Sequence, residues 1–134
     1  MSACQTAHGL CCTRAFLMAD LPIFLINLDG SDDRLRAASK ALHAQGATFE
    51  RHPAFDGRGR DIDTLPNYDP ARTRRVMGRA LSGGEIGCFI SHVDAAKRFL
   101  GTNAPFGLVL EDDMSPPPQA LALIPALVPI AKET

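Results

Sequence analysis

Residues 106–113 join a short apolar run to three consecutive carboxylates, and this stretch most constrains the fold. The run Phe-Gly-Leu-Val-Leu leads directly into Glu111, Asp112 and Asp113. A run this short, with Pro105 before it and charge after it, predicts a buried strand. In an α/β sheet, ligands collect at the carboxyl ends of the strands, where these acids lie. The stretch therefore predicts an α/β protein with a binding site at the end of this strand.

Side-chain alternation along an extended chain predicts that Glu111 and Asp113 share one face and that Asp112 takes the other. Two converging carboxylates supply the hard oxygen ligands that Mg²⁺ or Mn²⁺ prefers. The alternative is that these acids are ordinary solvated turn residues. Residues 106–113 alone leave both interpretations open.

The bulk composition is that of one modest globular domain. The chain has 134 residues, 46% of them hydrophobic, and a net charge of −1 from fourteen basic and fifteen acidic side chains. This balance gives no basic surface for nucleic acid, and the absence of Trp argues against a base-stacking platform. The cysteines Cys4, Cys11, Cys12 and Cys88 show no CxxC spacing, which indicates a reduced, cytosolic protein without a disulfide framework.

Residues 1–20 lack the pattern of a secretory signal and are predicted to be a disordered leader, with Met18 as an alternative translation start. Residues 21–131 form the predicted domain. Within it, the apolar residues 22–28 predict a central strand, and Ser31 suits the N-cap of a helix that ends at Gly46. A second strand over residues 48–54 completes a βαβ unit. Near the other end, prolines interrupt residues 119–131, which predict a broken helix lying on the sheet.

Residues 57–81 hold many turn-forming residues and several arginines, without apolar periodicity, and predict a long irregular connection. Its arginines are interpreted either as a solvated surface or as a phosphate clamp. They are Arg58, Arg60, Arg72, Arg74, Arg75 and Arg79.

A second helix is predicted to begin at Ser82, which has the spacing of a capping box with Glu85. The adjacent Gly83 and Gly84 permit a phosphate to approach bare backbone N–H groups. His92 is interpreted as either a packed or a functional residue, and Cys88 as a small buried one. The helix is predicted to bury a stripe made of Ile86, Phe89, Ile90, Val93, Ala96 and Leu100.

Taken together, these motifs resemble glycosyltransferase family 25, which includes bacterial lipopolysaccharide-biosynthesis enzymes and relatives of the collagen galactosyltransferases. Three blocks in the order of the family carry the resemblance, and they span about residues 22–125. They are Ile-Asn-Leu-Asp at 26–29 with Asp33-Arg34, Leu-Ser-Gly-Gly-Glu-Ile-Gly-Cys at 81–88 with Ser91-His92, and Leu-Val-Leu-Glu-Asp-Asp at 108–113.

The resemblance implies a GT-A-type, Rossmann-like nucleotide-sugar-binding fold with a mainly parallel sheet and flanking helices. It implies transfer of a hexose, often galactose, from a UDP-sugar to a saccharide of lipooligosaccharide, with a divalent cation (Mn²⁺ or Mg²⁺) assisting. Such an enzyme works in the cytoplasm or at the cytoplasmic face of the inner membrane, as a peripheral rather than a transmembrane protein.

The resemblance also implies roles for named residues. Glu111, Asp112 and Asp113 take the place of the family's metal-binding acidic motif, with Asp113 holding the cation and Glu111 binding it through water or holding the donor's ribose. The remaining donor-pocket residues are expected to be Asn27, Asp29, Arg34, Ser82, Glu85 and His92. No residue is assigned as the catalytic base.

One departure from the family is that its members continue well beyond the acidic motif, so the chain is expected to be a donor-binding half, incomplete at its C-terminus. The competing hypothesis is an inactive nucleotide-binding remnant that acts as a binding or partner module. A phosphohydrolase is disfavoured because the first strand ends in Asn27-Leu28-Asp29 without a paired Asp-x-Asp. No GxGxxG follows that strand, which excludes a dinucleotide-binding protein.

Overall fold

A computed structural model describes residues 21–65, 68–124 and 126–127. The predicted leader and residues 128–131 of the predicted domain lie outside them. Within the described residues, the strands β1 (Ile23–Asn27), β2 (Glu50–Pro53) and β3 (Leu108–Glu111) form one parallel sheet in the order β2-β1-β3. The predicted α/β class and parallel sheet with flanking helices are confirmed.

Strand β1 is central, and all five of its residues are buried. Its side chains alternate between two apolar clusters, because successive residues of a strand point to opposite faces. Ile23 and Leu25 join the cluster that contains Ala38 and Leu42 of helix α1 (Asp32–Ala44). Phe24 and Ile26 join a smaller cluster on the opposite face. The prediction of a strand covered on both sides is therefore confirmed.

The α1 face of the sheet is packed by large aliphatic side chains. Leu25 and Leu42 are both 0% exposed, and full burial of such a side chain contributes about 1.5–3 kcal/mol. A short 3-10 helix, Leu121–Leu123, adds Leu121 to the same cluster. This turn belongs to the segment 119–131, which was predicted to lie on the sheet as a broken helix, and its Leu121 packs there.

Helix α3 (Gly83–Leu100) covers the opposite face and begins with the predicted capping box between Ser82 and Glu85. The predicted apolar stripe is only partly correct, because Ile86 is buried and Ile90 and Val93 are half-buried, whereas the other three members are exposed. Phe89 is 67% and Leu100 78% exposed, whereas the buried residues are Ile86, Gly87, Ser91 and Ala95. Apart from Ile86, the buried side chains of the helix are small, because the helix closely approaches the backbone at Phe55, and Phe89 and Leu100 point to solvent.

Backbone contacts hold α3 in this position. A Cβ at Gly87 would lie 2.5 Å from the carbonyl oxygen of Phe55, so only glycine fits. Ser91 Oγ accepts from the Phe55 N–H at 2.8 Å and donates to the Gly87 carbonyl at 2.6 Å. Gly83 and Gly57 are also in contact, since a Cβ on either would lie 2.1 Å from the other's carbonyl oxygen. Gly83 is therefore a packing residue, and Gly84 alone of this pair keeps open space around it.

The connection over residues 57–81 is more regular than predicted. It contains a 3-10 turn (Ile62–Thr64) and helix α2 (Pro70–Met77). The prediction missed α2 because none of its residues is buried, so no apolar period marks it. Its ends carry the signal instead: the Asp69 side chain accepts from Arg72 N–H at 2.8 Å, and Gly78 closes the helix with φ of +74°.

No described helix combines the length and apolar character needed to cross a bilayer.

Candidate functional site

A cleft of about 230 Å³ lies at the carboxyl ends of β1 and β3, against the start of α3. Its lining includes Arg34, Gly84, Cys88, Glu111 and Asp112. A larger groove, about 480 Å³, lies at the opposite end of the strands, but Glu50 is the one charged residue in its described lining. The cleft is where charged groups converge, as expected for the ligand-binding edge of a parallel sheet.

Asp112 is the buried centre of the acidic triplet. It is 7% exposed, and its Oδ2 accepts from Asn27 Nδ2 at 2.6 Å, while its Oδ1 pairs with the Arg34 guanidinium. Asp113 Oδ2 lies 3.3 Å from the same guanidinium. Arg34 therefore joins two of the three acids, and Asp112 fixes its position.

The predicted alternation of these acids is wrong, because β3 ends at Glu111 and the next two residues form a turn. The Met114 N–H donates to the Glu111 carbonyl at 3.2 Å and closes this turn. Glu111 consequently contacts α3, whereas Asp113 approaches Arg34 of α1. The two carboxylates predicted to share a face lie on either side of Asp112.

Asn27 connects the acids to β2 from beneath the cleft. It is 2% exposed, and its Oδ1 accepts from Arg51 Nε at 2.8 Å. Arg51 in turn pairs with the exposed carboxylate of Asp29. A continuous polar chain therefore runs from Asp29 through Arg51 and Asn27 to Asp112, which orders the strand ends.

Glu111 meets α3 through two side chains. Its Oε1 lies 3.0 Å from His92 Nε2 and 3.7 Å from Cys88 Sγ. Cys88 is exposed rather than buried as predicted. Local desolvation, followed by the negative charge of Glu111, raises the pKa of its thiol. His92 is half-buried and hydrogen-bonded to Glu111, so it faces the end of β3 rather than the apolar core.

Ser82 and Glu85 lie beside the cleft and stabilise the start of α3. The Glu85 carboxylate accepts from Ser82 N–H at 2.8 Å and forms two hydrogen bonds with Arg79, of 2.6 and 2.9 Å. These bonds, those of Arg79 first, lower the pKa of Glu85 to about 2. Across the cleft, Arg58 binds Asp56 in the same two-pronged way and lowers its pKa to about 2.

The sequence profile of glycosyltransferase family 25 (LPS biosynthesis protein) matches residues 20–124. Similar curated proteins include a "Glycosyltransferase 25 family member" of Anopheles gambiae, 34% identical over 100 residues, and human "Procollagen galactosyltransferase 2", 34% identical over 101 residues. Each alignment covers 69% of this chain but only 15–16% of the relative. No solved structure matches significantly.

This chain belongs to glycosyltransferase family 25. The match contains all three blocks that carried the resemblance, and the fold brings them to one edge of the sheet. Its residues span about 16% of the length of the first relatives, so it corresponds to one part of those larger proteins.

The acids at the end of β3 carry more negative charge than their described partners compensate. Glu111, Asp112 and Asp113 carry three negative charges, and Arg34 compensates one of them. The side chains of Glu111 and Asp113 are 46% and 66% exposed, so their oxygens are accessible to solvent ions. Two uncompensated charges on accessible oxygens match Mg²⁺ or Mn²⁺.

The roles of three site residues were missed by reasoning from the sequence. Asp112 was placed in the acidic motif but was given no role of its own, because the strand was extended beyond its true end. Cys88 was assigned to the core on composition alone, although its spacing of four from His92 places both on one helical face. Arg51 carries no local signal, because its contact with Asn27 depends on the pairing of β2 with β1. The donor-binding roles of the predicted residues stay predictions.

Proposed function

We propose that this chain forms the donor-binding part of a metal-assisted glycosyltransferase that takes a hexose from a UDP-sugar. Galactose is the favoured sugar because several relatives are named procollagen galactosyltransferases. A saccharide of lipopolysaccharide or lipooligosaccharide is the favoured acceptor because the family description names LPS biosynthesis. The protein would act in the cytoplasm, peripherally at the inner membrane where that acceptor is assembled.

One observation carries the proposal: Arg34 lies against two carboxylates at the switch point between neighbouring parallel strands. Strands β2 and β3 flank β1 on opposite sides, and α1 after β1 and α3 before β3 cover opposite faces of the sheet. The strand order therefore reverses at β1, where a crevice opens at the carboxyl ends of the strands. Nucleotides bind in such a crevice in doubly wound sheets. Arg34 and the amide of Gly84, in the first turn of α3, would meet the diphosphate, and the positive end of the helix dipole adds to this attraction.

Each residue of the cleft would have a distinct role in binding the donor. Asp113 and Glu111 would hold the divalent cation, which offsets the negative charge that grows on the departing diphosphate. Asp112 keeps Arg34 directed at the phosphates rather than touching the donor itself. Asp29 would accept from the base or ribose, and His92 would border the sugar. Ser82 and Glu85 serve the pocket indirectly, because their capping box fixes the α3 amides.

A thermal-shift series with UDP and Mn²⁺ tests donor binding. At a hundredfold excess over Kd, ligand binding stabilises a protein by about 2.7 kcal/mol. For a domain of this size, each kcal/mol raises Tm by about 3–6 °C. We expect such a rise with both ligands together and a much smaller one with either alone. Asp113→Ala should abolish the joint effect, whereas Asp94→Ala, which removes an acid paired with Lys97 on α3, should keep it.

An unchanged Tm with UDP and Mn²⁺, or equal losses in both variants, would refute the donor site. Release of UDP from UDP-galactose in the presence of a saccharide acceptor then tests transfer. Stabilisation by UDP and Mn²⁺ without any UDP release would favour the alternative, a chain that binds the donor without transferring its sugar.

A further inference from the structure

Three metal-ligating side chains of different chemistry converge at the back of the cleft. Cys88 and His92 lie one turn apart on α3, and Glu111 is the last residue of β3. One ligand atom from each, namely the thiol sulfur, an imidazole nitrogen and a carboxylate oxygen, lies within 4.8 Å of the others. The measured separations are 3.0 Å from His92 Nε2 to Glu111 Oε1 and 3.7 Å from Cys88 Sγ to the same oxygen.

These separations resemble the edges of a tetrahedral coordination shell. Zinc binds sulfur at about 2.3 Å and nitrogen or oxygen at about 2.0–2.1 Å, which places neighbouring ligand atoms roughly 3.3–3.6 Å apart. The two measured edges differ from that range by only a few tenths of an ångström. Small side-chain rotations would therefore bring all three atoms to bonding distance of one ion.

The ligands stand on fixed elements and remain accessible. Between Cys88 and His92, the Ser91 side chain anchors α3 to Phe55, and Gly87 packs against the same residue. Glu111 lies at the end of a paired strand. Cys88 is exposed, and the side chains of His92 and Glu111 are 42% and 46% exposed, so an ion can enter from the cleft. Nearby Asp113 adds negative charge that favours a cation.

We propose that Cys88, His92 and Glu111 form a binding site for a transition-metal ion of the zinc class, with the fourth position open to water or a ligand. Thiolate and imidazole select such ions over Mg²⁺ and Mn²⁺, which prefer oxygen. On binding, the Cys88 thiol releases its proton to solvent. The hydrogen bond between His92 Nε2 and Glu111 is broken, the imidazole proton resides on Nδ1, and the free Nε2 lone pair binds the metal.

This site goes beyond the proposed donor site, with which it shares Glu111 as a metal ligand and His92 as a residue bordering the sugar. Occupancy by a zinc-class ion would withdraw Glu111 from the hard-metal position beside Asp113. The two metal classes would therefore compete through one carboxylate, and zinc would weaken the joint stabilisation by UDP and Mn²⁺.

The test uses Co²⁺ alone as a spectroscopic substitute for Zn²⁺, on the full chain with Cys4, Cys11 and Cys12 replaced by serine. Cys88 is then the single thiol. We expect a thiolate-to-cobalt charge-transfer band and visible bands of tetrahedral intensity, both abolished by stoichiometric Zn²⁺. Cys88→Ser should remove the charge-transfer band. His92→Gln should weaken Co²⁺ binding at least about tenfold, since even loss of a residue behind the ligands costs that much.

Two control variants distinguish this site from nonspecific cobalt binding and from the donor site. His43→Gln removes an exposed histidine at the far end of α1 and should leave both bands intact. Asp113→Asn should also keep the charge-transfer band, although it is expected to abolish the effect of UDP with Mn²⁺. Far-UV circular dichroism of each variant confirms folding. Absence of the band in the single-thiol chain, or its persistence in folded Cys88→Ser, would overturn the proposal, and neither result would bear on donor binding.

Discussion

The two faces of the sheet are packed by different means. On the α1 face, large aliphatic side chains such as Leu25 and Leu42 are fully buried and fill the space between helix and strands. On the α3 face, Gly87, Ser91 and Ala95 let the helix approach closely, and hydrogen bonds to backbone replace much of the apolar contact. The first arrangement supplies hydrophobic stability. The second fixes the position of Cys88 and His92 beside the strand ends.

The largest expected effect comes from shortening a buried side chain on the α1 face of the sheet. Leu42→Ala should lower the free energy of unfolding by about 2–5 kcal/mol, because it removes buried methyl groups and leaves a cavity. Leu100→Ala makes the same chemical change on α3, where the side chain is 78% exposed, and should cost no more than about 0.5 kcal/mol. Urea denaturation measures both, and equal losses would contradict the contrast.

A glycine pair tests the α3 face with a somewhat smaller expected effect. Gly87→Ala places a Cβ 2.5 Å from the Phe55 carbonyl oxygen, which must push the helix outward and should cost about 1–3 kcal/mol. Gly84→Ala meets only Ser82 Oγ at 3.9 Å and should be neutral or slightly stabilising, since alanine favours the helix. Chemical denaturation of both variants provides the measurement. A neutral Gly87→Ala would show that the close approach is dispensable.

The smallest expected effect concerns pH and the start of α3. The folded pKa of Glu85 is lowered from 4.5 to about 2, mainly by Arg79. A lowered carboxyl pKa stabilises the fold above the unfolded value, and this contribution is lost as the pH falls from about 4.5 toward 2. Glu85→Gln should therefore be less stable than the wild type near neutrality, and the difference should shrink over that interval. Unfolding curves at several pH values check this.

Arg79→Gln is the matched test of the cause. It should remove most of the pH-dependent difference, because the carboxylate then keeps only its bonds to Ser82. A difference between wild type and Glu85→Gln that stays constant from neutral pH to about 2.5 would contradict the assigned role of Arg79.

Features that depend on local sequence pattern were predicted correctly, whereas features that depend on how closely distant helices and strands pack were missed. The strands, their parallel order, α1 and the capping box of α3 follow from apolar runs and polar boundaries that lie within a few residues of each other. The buried face of α3 was only partly correct because Gly87 and Ser91 are buried by a backbone contact with Phe55, thirty or more positions away, which hydrophobicity does not encode. Helix α2 was missed for the opposite reason, since it buries nothing.

The site shows the same division. The three motif blocks placed Asn27, Arg34 and Glu111 at one edge, and the structure has them there. The structure differs from the prediction in the role of each acid, because the turn after Glu111 makes Asp112 the residue that holds Arg34. Such a turn is decided by the last ladder contact of β3, where the Asp112 N–H donates to the Ile26 carbonyl at 3.1 Å.

The contact between Gly57 and Gly83 has a consequence for how this chain can vary. These two residues are 26 positions apart and are in contact through their backbones, so the contact holds together the two ends of the segment 58–82. Substitutions or insertions within the segment 58–82 need not disturb the sheet, because the contact keeps the two ends of that segment in place. A methyl group added at Gly57 or Gly83 would instead force the two backbones apart, and this displacement would reach the cleft directly.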